Sequence, residues 1–104
     1  MKKKFTTKRD QKKVRAELQD SSPVVVRFYS TGCPACQASE SAWQAFDLPE
    51  YRVLSVEEHA IPPEILEKLT AFPTYAKHDL KGSAHVTGAI SDTAMIAQKL
   101  NVPP

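Results

Sequence analysis

The chain has no run of about 18 apolar residues, which excludes a transmembrane helix. It has no internal repeat and no low-complexity segment. Its amino-terminal lysines have no apolar run behind them, so the start is not read as a secretory signal peptide and the expected compartment is the cytoplasm. Apart from Phe5, no aromatic residue is interleaved with those basic residues, so nucleic acid is not an expected partner. Cysteine is scarce: Cys33 and Cys36 are the only two. A disulfide across so short a loop removes little chain entropy and is a poor structural staple. The pair therefore reads as chemical rather than architectural.

What is present suits one soluble domain. The chain has 104 residues, with 41% hydrophobic and 25% charged residues. A chain this short buries roughly 60–70% of its unfolded surface, enough for one core with little margin. Net charge is +2 but uneven. Residues 1–20 hold eight Lys/Arg against three Asp/Glu, and the remainder holds six against nine. This basic segment reads first as the solvated face of a surface helix, with an acidic partner as the second reading. The expected organisation is a single domain over 1–104, with a basic arm and helix over 1–21 and a core over 22–100.

Apolar periodicity gives the elements. Residues 1–5 are read as an edge strand or a fraying end. Thr7 and Asp10 have capping-box spacing, and Val14 and Leu18 lie one helical turn apart, so a helix is predicted over 8–19. Val24-Val25-Val26-Arg27-Phe28-Tyr29 reads as a strand buried on both faces, with Arg27 the one discordant residue. A helix is predicted from Cys33 to Phe46, with Pro34 in its first turn. A strand follows over 51–56 and a short helix over 64–69. Phe72-Pro73-Thr74-Tyr75 begins a third strand, the turn over 78–83 makes a hairpin, and residues 84–87 form its partner. Ser91 is the expected cap of a last helix, with Ile90 and Met95 as a hydrophobic staple. A β-α-β unit implies parallel pairing and a hairpin implies antiparallel pairing, so the fold class is α/β with a mixed sheet of about four strands.

Cys-x-x-Cys after a strand and at a helix start carries a chemical meaning. The first thiol lies beside unpaired helix N–H groups, which favour its thiolate. A thiolate attacks disulfides, and a second thiol one turn on can resolve the mixed disulfide. Cys33 is the expected nucleophile and Cys36 the resolving thiol, with no metal. A zinc site would need two further ligands, and His59, His78 and His85 lack the usual close spacing; all three read as scattered surface histidines.

These motifs together resemble the thioredoxin family: the buried strand, Cys33-Pro34-Ala35-Cys36 at a helix start, Phe72-Pro73-Thr74, and Val86-Thr87-Gly88-Ala89-Ile90-Ser91 before the final helix. The likeness covers about residues 22–100. It implies a thioredoxin-like fold, thiol–disulfide oxidoreductase activity on protein disulfides, and a cis-proline at Pro73 facing the dithiol. It also implies that Gly32, Pro34, Phe72 and Pro73 border the substrate, with Phe72 offering backbone groups to an extended chain. No organic cofactor is implied; a reductase or glutathione would supply electrons, and the chain would act as a monomer.

Three departures from the family pattern stand out. Gly32 replaces the usual Trp before the first cysteine, leaving a smaller rim. Arg27 replaces a buried Asp that relays the resolving cysteine's proton, and Arg cannot accept a proton. The family's lysine on the next strand aligns with Leu54. A guanidinium near the thiols would favour thiolate and the reduced form, giving a potential above the thioredoxin value of about −270 mV. A side chain that snorkels to the surface would leave them untouched. The Cys-Pro-x-Cys motif and Tyr29-Ser30 are also glutaredoxin-like, and Gly88 with Ser91-Asp92 partly echoes that family's glutathione site. Two further readings therefore stay open: a glutathione-dependent oxidoreductase, and a non-catalytic thioredoxin-fold binding module.

Overall fold

Strand β2 (Val24–Tyr29) places five buried residues in succession, and only a central strand covered on both faces accommodates that. The computed structural model describes residues 2–103; Met1 and Pro104 lie outside the described residues. Strand β3 (Arg52–Glu57) lies parallel to β2 on one side, and β4 (Thr74–Asp79) lies antiparallel on the other. Strand β5 (Gly82–Thr87) completes a hairpin with β4 across Leu80-Lys81. Strand β1 (Lys2–Phe5) pairs parallel with β3, giving the order β1-β3-β2-β4-β5. The sheet thus has five strands rather than about four, the fifth being the amino-terminal edge.

Each face of the sheet holds its own apolar cluster. One gathers Val25, Trp43, Phe46, Tyr75, Ile96 and Leu100. The other gathers Phe5, Val14, Val26, Phe28, Leu54 and Val56. Phe5 and Val14 are buried there, so the first 21 residues contribute to the core rather than forming an arm beside it. Asp10 accepts from the backbone of Thr6 and Thr7 and from the Thr7 hydroxyl, closing the expected cap. A 3-10 turn (Lys8–Asp10) then leads into α1 (Gln11–Gln19).

The helix predicted over 33–46 is two segments, α2 (Pro34–Ala38) and α3 (Glu40–Ala45). The break is at Ser39, which is fully buried. Its hydroxyl bonds back to the Ala35 carbonyl at 2.9 Å and accepts from Arg27 at 3.1 Å. Such back-bonding draws the side chain into the turn and bends the helix. A short helix, α4, spans Pro63–Leu66.

The last helix, α5 (Thr93–Leu100), is capped by Asp92 rather than Ser91: the Asp92 carboxylate accepts from Ala94 N at 2.9 Å. The expected staple is not formed, because the residue before this cap is the polar Ser91. Ile90 is buried in one cluster with Ile96, while Met95 is 39% exposed. Asp92→Ala is expected to lower the unfolding free energy by about 1 kcal/mol, and Ser91→Ala far less. Urea denaturation of the two variants distinguishes the caps. No helix among the described residues is long and apolar enough to cross a membrane.

Candidate functional site

Chain reversal between β2 and α2 places the two thiols. Gly32 has φ +81°, a conformation that side chains disfavour, and nothing lies within 4 Å of where its Cβ would stand. The rim before Cys33 is therefore open, as the smaller residue implied. Pro34 occupies the first turn of α2, and Cys33 is the cap itself: its sulfur accepts from Cys36 N at 3.2 Å. The thiol of Cys33 also reaches the Phe72 carbonyl at 3.6 Å. The Phe72–Pro73 peptide is cis, as the resemblance implied, and precedes β4. Gly32, Pro34, Phe72 and Pro73 are thus brought together around Cys33 by the loop after β2 and the entry to β4.

The two cysteines differ in environment. Cys33 is half-buried and Cys36 buried. The Cys33 thiol is held below its usual range, first by a hydrogen bond from the Cys36 thiol, against the cost of burial, then by the N–H groups of Cys36 and Ala35 and weakly by Arg27. Burial pushes the Cys36 thiol up to about 11, and its bond to the Cys33 sulfur adds to this. Cys33 is thus the more acidic of the two thiols and Cys36 the one that holds its proton more tightly.

Arg27 does not snorkel. Its side chain is 1% exposed and lies under the helix break. One terminal nitrogen donates to the Cys36 carbonyl at 2.8 Å and to Ser39 Oγ; the other meets Glu40 Oε1 at 3.0 Å. The guanidinium also lies 5.4 Å from the Tyr29 ring centroid and 5.8 Å from that of Tyr75. Its contacts go to the backbone and side chains that hold Cys36, not to either sulfur. The position paired with Arg27 on β3 is Ser55, not Leu54, which pairs with Val26 and is buried on the opposite face. Ser55 Oγ accepts from Trp43 Nε1 at 2.7 Å.

Beside Cys36 lies a cleft of about 840 Å³, lined by Tyr29, Gly32, Cys36, Glu40, Glu57 and His59. Glu57 has no role in the sequence reading, and His59 enters it only as a scattered surface histidine. Their Glu-x-His spacing at a strand end was the available signal, and it is weak. The described histidines do not gather with both thiols: His78 bonds Ser83 on the hairpin, and no cluster of three donor side chains includes Cys33 or Cys36. Asp92, part of the glutathione-site echo, caps α5 through one carboxylate oxygen.

No protein-family model matches the chain, and no curated protein does. Solved structures do match. Mitochondrial thioredoxin 3 of Saccharomyces cerevisiae superposes with a TM-score of 0.65 at 18% identity, over 97% of this chain and 92% of that one. Thioredoxin of Trypanosoma brucei brucei gives 0.66 at 22% identity, over 85% and 80%. Thioredoxin of Malassezia sympodialis gives 0.66 at 18% identity, over 93% and 90%. The chain therefore has the thioredoxin fold. Its dithiol occupies the loop and helix start that follow the central strand of that fold.

Proposed function

We propose that this chain is a thiol–disulfide oxidoreductase that reduces or exchanges protein disulfides through Cys33 and Cys36. One observation carries the reading: a single turn of backbone makes Cys33 the acidic, reachable thiol and Cys36 the buried, proton-retaining one. The Cys33 thiolate attacks a substrate disulfide, forming one S–S bond and expelling one half of the substrate as thiolate. Cys36 then loses its proton and attacks the Cys33 sulfur. The second half leaves, the Cys33–Cys36 disulfide forms, and the substrate is reduced by two electrons.

The cycle uses only the two thiols, without a metal or organic cofactor. An external reductant restores them, either a thioredoxin reductase or glutathione. A dithiol acting as reductant suits a compartment that keeps thiols reduced, and the cytoplasm is such a compartment. Gly32, Pro34, Phe72 and Pro73 form the border against which substrate docks.

Cys36→Ser should trap mixed disulfides on Cys33. Incubation with a disulfide-containing protein, followed by non-reducing electrophoresis and mass spectrometry, is expected to show a covalent adduct that dithiothreitol releases. A folded variant that forms no adduct with any disulfide substrate would overturn the mechanism. Recycling of the oxidised wild type by thioredoxin reductase, or by glutathione with its reductase, assigns the electron donor.

A further inference from the structure

We propose that His59, oriented by Glu57, accepts the proton that Cys36 releases when it resolves the mixed disulfide; this rests on the oxidoreductase reading above. Chemistry creates the need. A buried thiol must lose its proton before it attacks, and of the two side chains that bond the Cys36 carbonyl, Arg27 has no acceptor capacity and Ser39 is a neutral hydroxyl that takes up no net proton near neutral pH. The proton must leave by another route.

The cleft beside Cys36 supplies one. His59 and Glu57 line it together with Cys36. His59 Nδ1 lies 2.7 and 2.8 Å from the two Glu57 carboxylate oxygens, and Glu57 also accepts from His59 N at 3.0 Å. With Nδ1 committed to the carboxylate, Nε2 of the neutral ring is the remaining acceptor. The Glu57 side chain is 6% exposed and the His59 side chain 70%, so the orienting group is fixed and the ring stays in contact with water. Ser30 Oγ bonds Glu58 Oε1 at 2.9 Å, tying the His59 turn to the loop that presents the dithiol. The Gln11 side chain bonds the His59 carbonyl at 2.9 Å from the other side.

The charged surroundings determine when the ring accepts. Glu57 and Glu58 are its acidic neighbours, and its imidazolium is stabilised above the usual range, first by the Glu57 hydrogen bond. Lys4 and Glu40 also line the cleft. The turn packed against it carries Lys8, Arg9 and Asp10, the last engaged with Thr6 and Thr7. Helix α1 adds Arg15, held by Glu64. In the resolving step the Cys36 S–H bond breaks and the proton passes through cleft water to His59 Nε2. The Cys33–Cys36 bond forms as the Cys33–substrate bond breaks, and the substrate leaves as thiolate. His59 then returns its proton to solvent.

Dithiobis-nitrobenzoate separates the two attacks. Mixed one to one with reduced protein, it releases one coloured thiolate when Cys33 attacks and a second when Cys36 resolves. Stopped-flow absorbance across pH gives both rates. In His59→Gln the second release, relative to the first, is expected to slow by about tenfold at neutral pH and to lose its pH inflection. Glu57→Gln should keep the inflection but move it to lower pH, because the carboxylate no longer favours the imidazolium; a merely structural role would not move it. A wild-type profile for the second release in His59→Gln overturns the proposal while leaving the oxidoreductase reading intact. A wild type that gives only the first release overturns both.

Discussion

Asp79→Asn is expected to lower the unfolding free energy by about 3–5 kcal/mol, the cost of leaving a buried charge without its partner. Lys77 Nζ lies 2.8 Å from Asp79 Oδ1, and the two side chains are only 3% and 5% exposed. The carboxylate also accepts from Tyr51 Oη at 2.6 Å and from Lys81 N at 2.9 Å. Asparagine keeps the shape and loses the charge, so the Lys77 ammonium is left uncompensated.

Acid should show the same dependence. Lys77, then Tyr51, hold the Asp79 carboxyl down to about 2 from an ordinary 3.8. A depressed carboxyl stabilises the fold above its unfolded value, and this is lost as pH falls from about 4 through about 2. Tyr51 has the opposite sign: burial and then Asp79 raise it from 10.0 to about 12, so its contribution is present below 10 and lost as pH rises through about 12. Denaturant unfolding at pH 7 and pH 3 checks the Asp79 dependence: the wild type should lose stability between them and the variant lose less. A deficit under about 1 kcal/mol at pH 7 would show that Lys77 reaches water.

Arg27→Ala should cost about 2–5 kcal/mol, the range for emptying a large buried site. Arg27 is the largest of the fully buried side chains. Arg27→Met should cost clearly less, because an apolar chain of similar reach fills the volume and removes a desolvated charge. The redox consequence is smaller than the sequence alone suggests. Among the influences on Cys33 that of the guanidinium is the weakest, behind the Cys36 thiol and the helix-start N–H groups. Arg27→Met should shift the potential in the negative direction by less than about 30 mV, equivalent to about 1.4 kcal/mol. Equilibration with a glutathione buffer measures it. A larger shift would mean that Arg27 acts on the sulfurs directly rather than through the backbone of Cys36.

The sequence exposed what depends on local chemistry. The dithiol at a helix start, the proline before β4, the Thr7–Asp10 cap and the hairpin turn each follow from a few adjacent residues. What depends on tertiary partners was hidden. Ser39 reads as an ordinary helical residue until Arg27 docks against it. Strand β3 has buried residues on both faces, so its pattern does not say which of Leu54 and Ser55 faces Arg27, and a one-residue slip inverts the answer. Ser91 and Asp92 are both good caps, and only the hydrogen bond to Ala94 separates them. Lys77 in a strand reads as a solvated charge; its burial depends on Asp79 two residues on and on Tyr51 from the bend before β3.

The lysines of β1 have a consequence for behaviour at high concentration. An outermost strand presents unpaired amide and carbonyl groups, a template on which a second molecule can add a strand. Here that rim carries Lys2, Lys3 and Lys4 in succession. Lys2 is tethered to the neutral Gln44 carbonyl on one face and so keeps its charge there, while Lys3 is paired with Glu17 on the other. Any identical strand approaching it meets its own charge. The opposite rim, β5, carries no Lys, Arg, Asp or Glu at all. Self-association through strand addition is therefore opposed at one end of the sheet and unguarded at the other, which gives the basic start of the chain a role as a guard against aggregation.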